Sequence, residues 1–91
     1  MVEGIRITSI SYHLARVLAA KGNYDEARNL YTEVLDHQER RLGPKAPEVA
    51  ATLEQYAKLL RNIKSDALAG QMEFRARQIR AELAYTVSID Q

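Results

Sequence analysis

The sequence predicts an all-α protein in which two antiparallel helix hairpins stack on each other. Apolar residues recur at intervals of three and four through most of the 91 residues, and no stretch sustains the alternation of a half-buried strand. The only two prolines, Pro44 and Pro47, lie in one short break near the middle. A shift of 42 residues superposes the helices before this break on those after it. We therefore expect residues 1–91 to form one domain with an internal repeat.

Length, charge and cysteine content exclude several classes of protein. The 91 residues suffice for one small domain. Thirteen basic and twelve acidic residues give a net charge of +1, which excludes a dominant basic or acidic field. Cysteine is absent, so disulfides and thiolate metal sites are excluded. The uncharged stretch at residues 7–14 is too short for a membrane span or a signal peptide, so we expect a cytoplasmic protein without a membrane partner.

Two helices that meet at a glycine turn are predicted to form the first hairpin. The first helix spans about residues 8–21 and ends at Gly22. Asn23 and Glu26 make a capping-box pattern at the start of the second helix, which spans about residues 24–41. Each helix carries an apolar stripe that we expect to face the core: Ile10, Leu14, Val17 and Leu18 on the first, and Ala27, Leu30, Tyr31, Val34 and Leu35 on the second.

The second hairpin follows a linker at residues 42–46. Pro47 is suited to the first position of the third helix, where a missing N–H costs nothing. Gly70 lies inside the fourth helix, about residues 66–84, and costs about 1 kcal/mol of helix propensity, so we expect a close backbone approach there. Residues 85–91 form a tail. The predicted buried faces are Val49, Leu53, Tyr56, Ala57, Leu60 and Ile63 on the third helix, and Leu68, Met72, Ala76, Ile79 and Leu83 on the fourth.

Small residues mark the internal repeat. The 42-residue shift places Ala15 on Ala57 and Ala27 on Ala69, with one alanine of each pair on each helix of a hairpin. Small side chains allow antiparallel helices to approach closely at fixed levels. We expect these alanines to be the contact points within both hairpins.

The two hairpins and the linker between them resemble a known protein family. The first hairpin is similar to a tetratricopeptide repeat, and the linker is similar to the join in the longer, 42-residue type found in kinesin light chains. The second hairpin resembles the last repeat of such arrays. The resemblance is carried by Leu14, Ala15, Leu18, the segment 22–27, Tyr31 and Val34, by the linker segment 42–50, and by the segment 53–61 with Ala69 and Ala76.

The resemblance implies a right-handed superhelical stack of two repeats, at about residues 8–41 and 47–84. It also implies a non-catalytic module for protein–protein interaction. The second repeat has Lys64 where the first has Gly22, so we expect its turn to be built differently and its register to slip by one.

No pattern typical of an enzyme, a metal site or a cofactor site is found. His13 and His37 have no ligand set at metal spacing, and solvated or groove-edge histidines are the favoured interpretation. Arg75, Arg77 and Arg80 are flanked by acidic residues, so a salt-bridged surface is favoured over a nucleic-acid site.

The resemblance assigns the first helix of each pair to a concave face. The predicted groove residues are Tyr12, His13 and Arg16 from the first repeat, flanked by Ser9 and Ala20, and Glu54, Gln55, Lys58, Arg61 and Asn62 from the second. Tyr12 lies off the apolar stripe and is expected to be the most exposed aromatic residue. The cations could hold an extended peptide that carries carboxylates. Solubilising charges on an exposed helix face are the alternative interpretation, and the two remain open.

A structural role is the rival hypothesis. Two repeats are fewer than the three or more that usually make a stable solenoid. Apolar residues near the C-terminus would then mediate self-association, giving a homodimer or docking onto further repeats. The candidates are Phe74, Ile79, Leu83 and Val87.

Overall fold

Four α-helices make up a computed structural model that describes the backbone of residues 2–90 and the side chains of residues 8–86. The helices are α1 (Val2–Ala20), α2 (Tyr24–Leu42), α3 (Pro47–Asn62) and α4 (Asp66–Asp90). The described residues contain no strand, and the all-α prediction is confirmed. The start of the first helix and the end of the fourth differ from the prediction. The helix α1 begins at residue 2, and α4 continues through the predicted tail.

The helices form an open stack of two hairpins. The helix α1 packs on α2, α2 packs on α3, and α3 packs on α4, whereas the described parts of α1 and α4 are not in contact. A closed four-helix bundle would bring the first and last helices together. The molecule is accordingly flat, with extents of 44 × 34 × 18 Å, and the shortest dimension is less than two helix diameters.

The core consists of two clusters. The first cluster joins the hairpins and contains Ala15, Ala27, Tyr31, Tyr56, Ala57, Leu59, Leu60 and Ala69. The second lies mainly between α3 and α4 and contains Val49, Ala50, Leu53, Ala76 and Ile79. All four repeat-related alanines are fully buried in the first cluster, which confirms them as points of close helix contact.

The predicted apolar stripe of α1 is largely exposed. Ile10, Leu14 and Val17 are 60%, 46% and 50% exposed, and of the four stripe residues only Leu18 packs against the core. The prediction that this stripe faces the core is wrong for these three residues. The reason is that α1 lies at the end of the stack, so neighbouring helices cover it on one side only.

Tyr12 also differs from expectation. It is half-buried and packs against the first cluster, whereas Phe74 and Tyr85 are 55% and 68% exposed. Apart from the neighbouring backbone of α4 itself, no atom lies within 4 Å of the Cβ position at Gly70, so the close backbone approach predicted there is wrong as well.

The two hairpin turns share one hydrogen-bond pattern, 42 residues apart. The Asn23 amide donates to the Leu18 carbonyl at 2.8 Å, and the Ser65 amide donates to the Leu60 carbonyl at the same distance. The prediction of a differently built second turn with a slipped register is therefore wrong. Backbone hydrogen bonds define the second turn, and Lys64 adopts there the left-handed conformation that Gly22 adopts in the first turn. The Asn23 side chain makes no cap hydrogen bond, so the capping-box prediction is also wrong.

The turn geometry predicts opposite effects for two substitutions. Gly22 has φ 86° and Lys64 has φ 67°, and this left-handed region costs an L-residue about 1–2 kcal/mol. We expect Lys64→Gly to raise the free energy of unfolding by about 0.5–1 kcal/mol, because part of the relieved strain is offset by the greater unfolded-state entropy of glycine. Gly22→Lys should lower it by a similar amount. Urea unfolding followed by circular dichroism measures both, and equal stabilities for the three proteins would contradict the assignment of strain.

The buried alanines predict that a larger side chain cannot be accommodated between the helices. Ala27 is fully buried, so Ala27→Leu should reduce the free energy of unfolding by about 1–3 kcal/mol through overpacking. The matched control is Ala67→Leu, on the exposed first turn of α4, which should change it by less than about 0.5 kcal/mol. Thermal unfolding of the two variants and the parent gives the comparison. Equal unfolding temperatures for both variants would show that close approach at Ala27 is not required.

Candidate functional site

A cavity of about 360 Å³ opens between the first half of α1, the end of α2 and the beginning of α3. Its position follows from the stack, because α1 and α3 run in the same direction and α2 runs opposite to both. The lining residues are Thr8, Ser9 and Tyr12 from α1, His37, Gln38, Arg41 and Leu42 from α2, and Glu48, Ala51 and Thr52 from α3.

A row of tyrosine rings connects the cavity to the core. The rings of Tyr12 and Tyr31 meet edge to face with centroids 6.4 Å apart, and Tyr31 lies 6.1 Å from Tyr56. Each ring comes from a different helix, so the row fixes the relative position of α1, α2 and α3. Burial raises the pKa of Tyr31 to about 12, Tyr12 adds to the rise, and Arg16 opposes it. Tyr31 is therefore a neutral phenol at physiological pH.

Two side-chain hydrogen bonds form the polar wall of the cavity. The Thr8 hydroxyl and the Nδ1 of His37 are hydrogen-bonded and join α1 to α2. The Thr52 hydroxyl donates to the Oε1 of Gln38 at 2.7 Å and joins α2 to α3. These four polar groups thus hold the wall in place.

Arg41 of α2 lines the cavity itself, and two exposed cations, Arg16 and Lys58, lie further along α1 and α3, outside the lining. Arg16 follows Tyr12 by one turn of α1, and its guanidinium carbon is 5.9 Å from the centre of the Tyr12 ring, within cation–π range. Lys58 is two turns after Ala51 on α3. Both side chains are exposed, and among the described side chains neither forms an ion pair. Their charges are therefore available to a ligand in the groove.

Arg61, a predicted groove cation, is already paired. Its guanidinium donates two hydrogen bonds to Glu73, at 2.8 and 2.6 Å, and lies 3.6 Å from Asp66. The hydrogen bonds from Arg61 lower the pKa of the Glu73 carboxyl, and in return Glu73 raises the pKa of the guanidinium. A bidentate pair of this kind fixes the relative orientation of the guanidinium and the carboxylate. Arg61 thus links α3 to α4.

Glu54 is paired in the same way. The Arg80 guanidinium donates to its two oxygens at 2.7 and 3.0 Å, and these hydrogen bonds lower the pKa of the Glu54 carboxyl. Arg75 binds Glu39 of α2 at 2.7 Å. Two of the three arginines in the predicted basic segment of α4 are therefore ion-paired, which supports a salt-bridged surface there.

The remaining predicted groove residues lie outside the cavity. His13 is exposed, with its ring 5.3 Å from that of Tyr12. Gln55 is half-buried and Asn62 is exposed on α3. Of the eight predicted groove residues, Tyr12 alone lines the cavity, together with the flanking Ser9.

The sequence interpretation missed the contribution of α2. It took only the first helix of each pair, and so omitted His37, Gln38, Arg41 and Leu42 at the end of α2. It also missed Thr8, Glu48, Ala51 and Thr52. A signal for part of this set is present in the sequence. Glu48, Ala51, Gln55 and Lys58 follow one another at spacings of three, four and three, which places them on one face of α3.

The predicted self-association residues do not share one exposed surface. Ile79 is only 4% exposed and belongs to the second core cluster, and Leu83 packs against that cluster. Ile79 is therefore not available to a partner in the folded protein. Phe74 is exposed, and the side chain of Val87 lies outside the described residues.

Other kinds of site find no support in the part of the chain that the structure describes. No cluster of three or more histidine and acidic side chains that could hold a metal ion is found there. No helix within it has both the length and the apolar character needed to cross a membrane.

Comparison with known proteins identifies the fold. The family model described as the tetratricopeptide repeat matches residues 6–82, which include most of both hairpins and both turns. None of the curated proteins matches the chain. Tetratricopeptide repeats are generally protein–protein interaction modules, and nothing in the described residues shows a catalytic arrangement. The chain belongs to the tetratricopeptide repeat family.

Proposed function

We propose that the chain binds an extended, acidic segment of another protein in the groove between α1 and α3. The observation that carries the proposal is the cavity of about 360 Å³, with Arg16 one turn after its lining residue Tyr12 on α1 and Lys58 two turns after its lining residue Ala51 on α3. An apolar cavity with nearby charges is suited to a peptide that has one buried anchor and one or more ionic contacts. The 42-residue period supports assignment to the longer, kinesin-light-chain type of repeat.

The cavity would take an aliphatic side chain of the peptide. Tyr12, Leu42 and Ala51 supply apolar surface, and the short side chain of Ala51 leaves space beside α3. The Thr8 hydroxyl is engaged with His37 and the Thr52 hydroxyl with the side-chain oxygen of Gln38, so these groups need no hydrogen bond from a ligand. Burial of apolar surface is then the main favourable contribution at this point.

The two cations would bind carboxylates at a defined distance from that anchor. Along the helix axes, Arg16 is about 6 Å from Tyr12 and Lys58 is about 10 Å from Ala51, at 1.5 Å per residue. An extended peptide advances about 3.3 Å per residue. The preferred sequence should therefore carry Asp or Glu about two or three residues from the aliphatic anchor. Arg61 has no part in this contact, because Glu73 occupies its guanidinium.

Charge reversal in the groove tests the proposal. A phage-displayed library of random dodecapeptides is selected on the parent protein, and the selected peptide is labelled for fluorescence anisotropy. We expect an acidic residue two or three positions from an aliphatic one. Arg16→Glu and Lys58→Glu should each weaken binding about tenfold or more, since each loses one charge-assisted hydrogen bond and gains a repulsion.

The matched control is Arg28→Glu, which makes the same charge change on the exposed surface of α2, outside the cavity. It should leave affinity within about twofold, because an exposed charge at a distance is screened. Selection of no peptide, or equal weakening by Arg28→Glu and the groove variants, would favour the alternative that these cations only solubilise a helix face.

A further inference from the structure

The exposed stripe of α1, formed by Ile10, Leu14 and Val17, is an unused helix-packing surface. About half of each side chain is in contact with solvent. At 100° per residue, the stripe lies about 100–160° around α1 from the groove residues Tyr12 and Arg16. A partner on this stripe would therefore leave the groove open.

The second repeat shows what normally covers this face. The 42-residue shift places Ile10 on Thr52, Leu14 on Tyr56 and Val17 on Leu59. Those three residues of α3 are fully or almost fully buried. The covering element is α2, because Thr52 donates a hydrogen bond to Gln38 and the ring of Tyr56 packs against Tyr31. The stripe is thus the counterpart of an established helix–helix interface.

The positions of α4 that correspond to the covering residues of α2 do not offer a matching apolar surface. In α2, Tyr31 and Gln38 cover α3, and the same shift places them on Glu73 and Arg80 of α4. Glu73 and Arg80 are charged and already paired with Arg61 and Glu54. Docking an apolar stripe on these pairs would remove ionic groups from water without a new partner. Head-to-tail stacking of copies, which would produce open filaments, is therefore disfavoured.

We propose that two copies of this chain associate through their α1 stripes about a two-fold axis. The stripe residues are spaced four and three apart, as in the contact surface, or seam, of a two-stranded coiled coil. Ile7 continues this spacing in the sequence, and its side chain lies outside the described residues. An isologous contact of this kind closes on itself. Three half-exposed side chains make a small contact, so we expect a dissociation constant of about micromolar or higher.

Sedimentation velocity over a range of protein concentrations tests the dimer. The parent should shift from monomer to dimer as concentration rises, and Leu14→Glu should weaken the association about tenfold or more by placing a charge in the seam. Ile10→Lys provides a second variant at the most exposed position, and circular dichroism confirms that each variant is folded. The matched control, Phe74→Glu, alters an exposed apolar residue on α4 and should leave the dimer unchanged.

Three outcomes would overturn the proposal. The first is a parent protein that sediments as a monomer at every concentration. The second is a dimer that Phe74→Glu disrupts, or that both α1 variants leave intact, because the interface would then lie elsewhere. The third is a series of ever larger species, which would indicate head-to-tail stacking in place of a closed dimer. None of these outcomes depends on a peptide bound in the groove, so this test is independent of the proposed function.

Discussion

Packing of α2 on α3 is the contact on which the rest of the structure depends. It joins two hairpins that are otherwise linked by the segment at residues 43–46 and a small contact between α1 and α3. Tyr31 and Tyr56 meet at this junction, and fully buried alanines allow the helices around them to approach. Because α2 contacts both α1 and α3, the junction also sets the width of the cavity between them.

The two ends of the stack differ in chemistry. The two repeats share the same backbone conformation, but they carry different side chains at corresponding positions. The same turn closes both hairpins, yet the outer face of α1 carries Leu14 and the corresponding outer positions of α4 carry Glu73 and Arg80. At the α4 end these positions form ion pairs with α3, and Phe74 and Tyr85 of α4 are exposed. At the α1 end, the apolar stripe of α1 is exposed to solvent. The groove lies between the two ends of the stack, so a ligand can enter it whether or not either end is covered.

Helical periodicity and the repeated alanines predicted four helices paired as hairpins, because both reflect packing between helices that are close in sequence. The stacking of the two hairpins was predicted from the resemblance to tetratricopeptide repeats. Periodicity could not predict the exposure of Leu14, since an apolar face shows that a helix can pack and not whether a neighbour is present. The turn at Lys64 was missed because backbone hydrogen bonds can hold a non-glycine residue in the left-handed region. The cavity was only partly predicted, since His37 and Thr8 meet through tertiary packing across 29 positions.

Native-state hydrogen exchange measures most directly whether the α2–α3 junction makes the two hairpins one cooperative unit. The buried amides of residues 27–34 in α2 and 53–60 in α3 should then have the same opening free energy, because both exchange only when the whole stack unfolds. An opening free energy for the first hairpin well below that of the second would contradict this account. It would show that each hairpin is stable without the contact between Tyr31 and Tyr56.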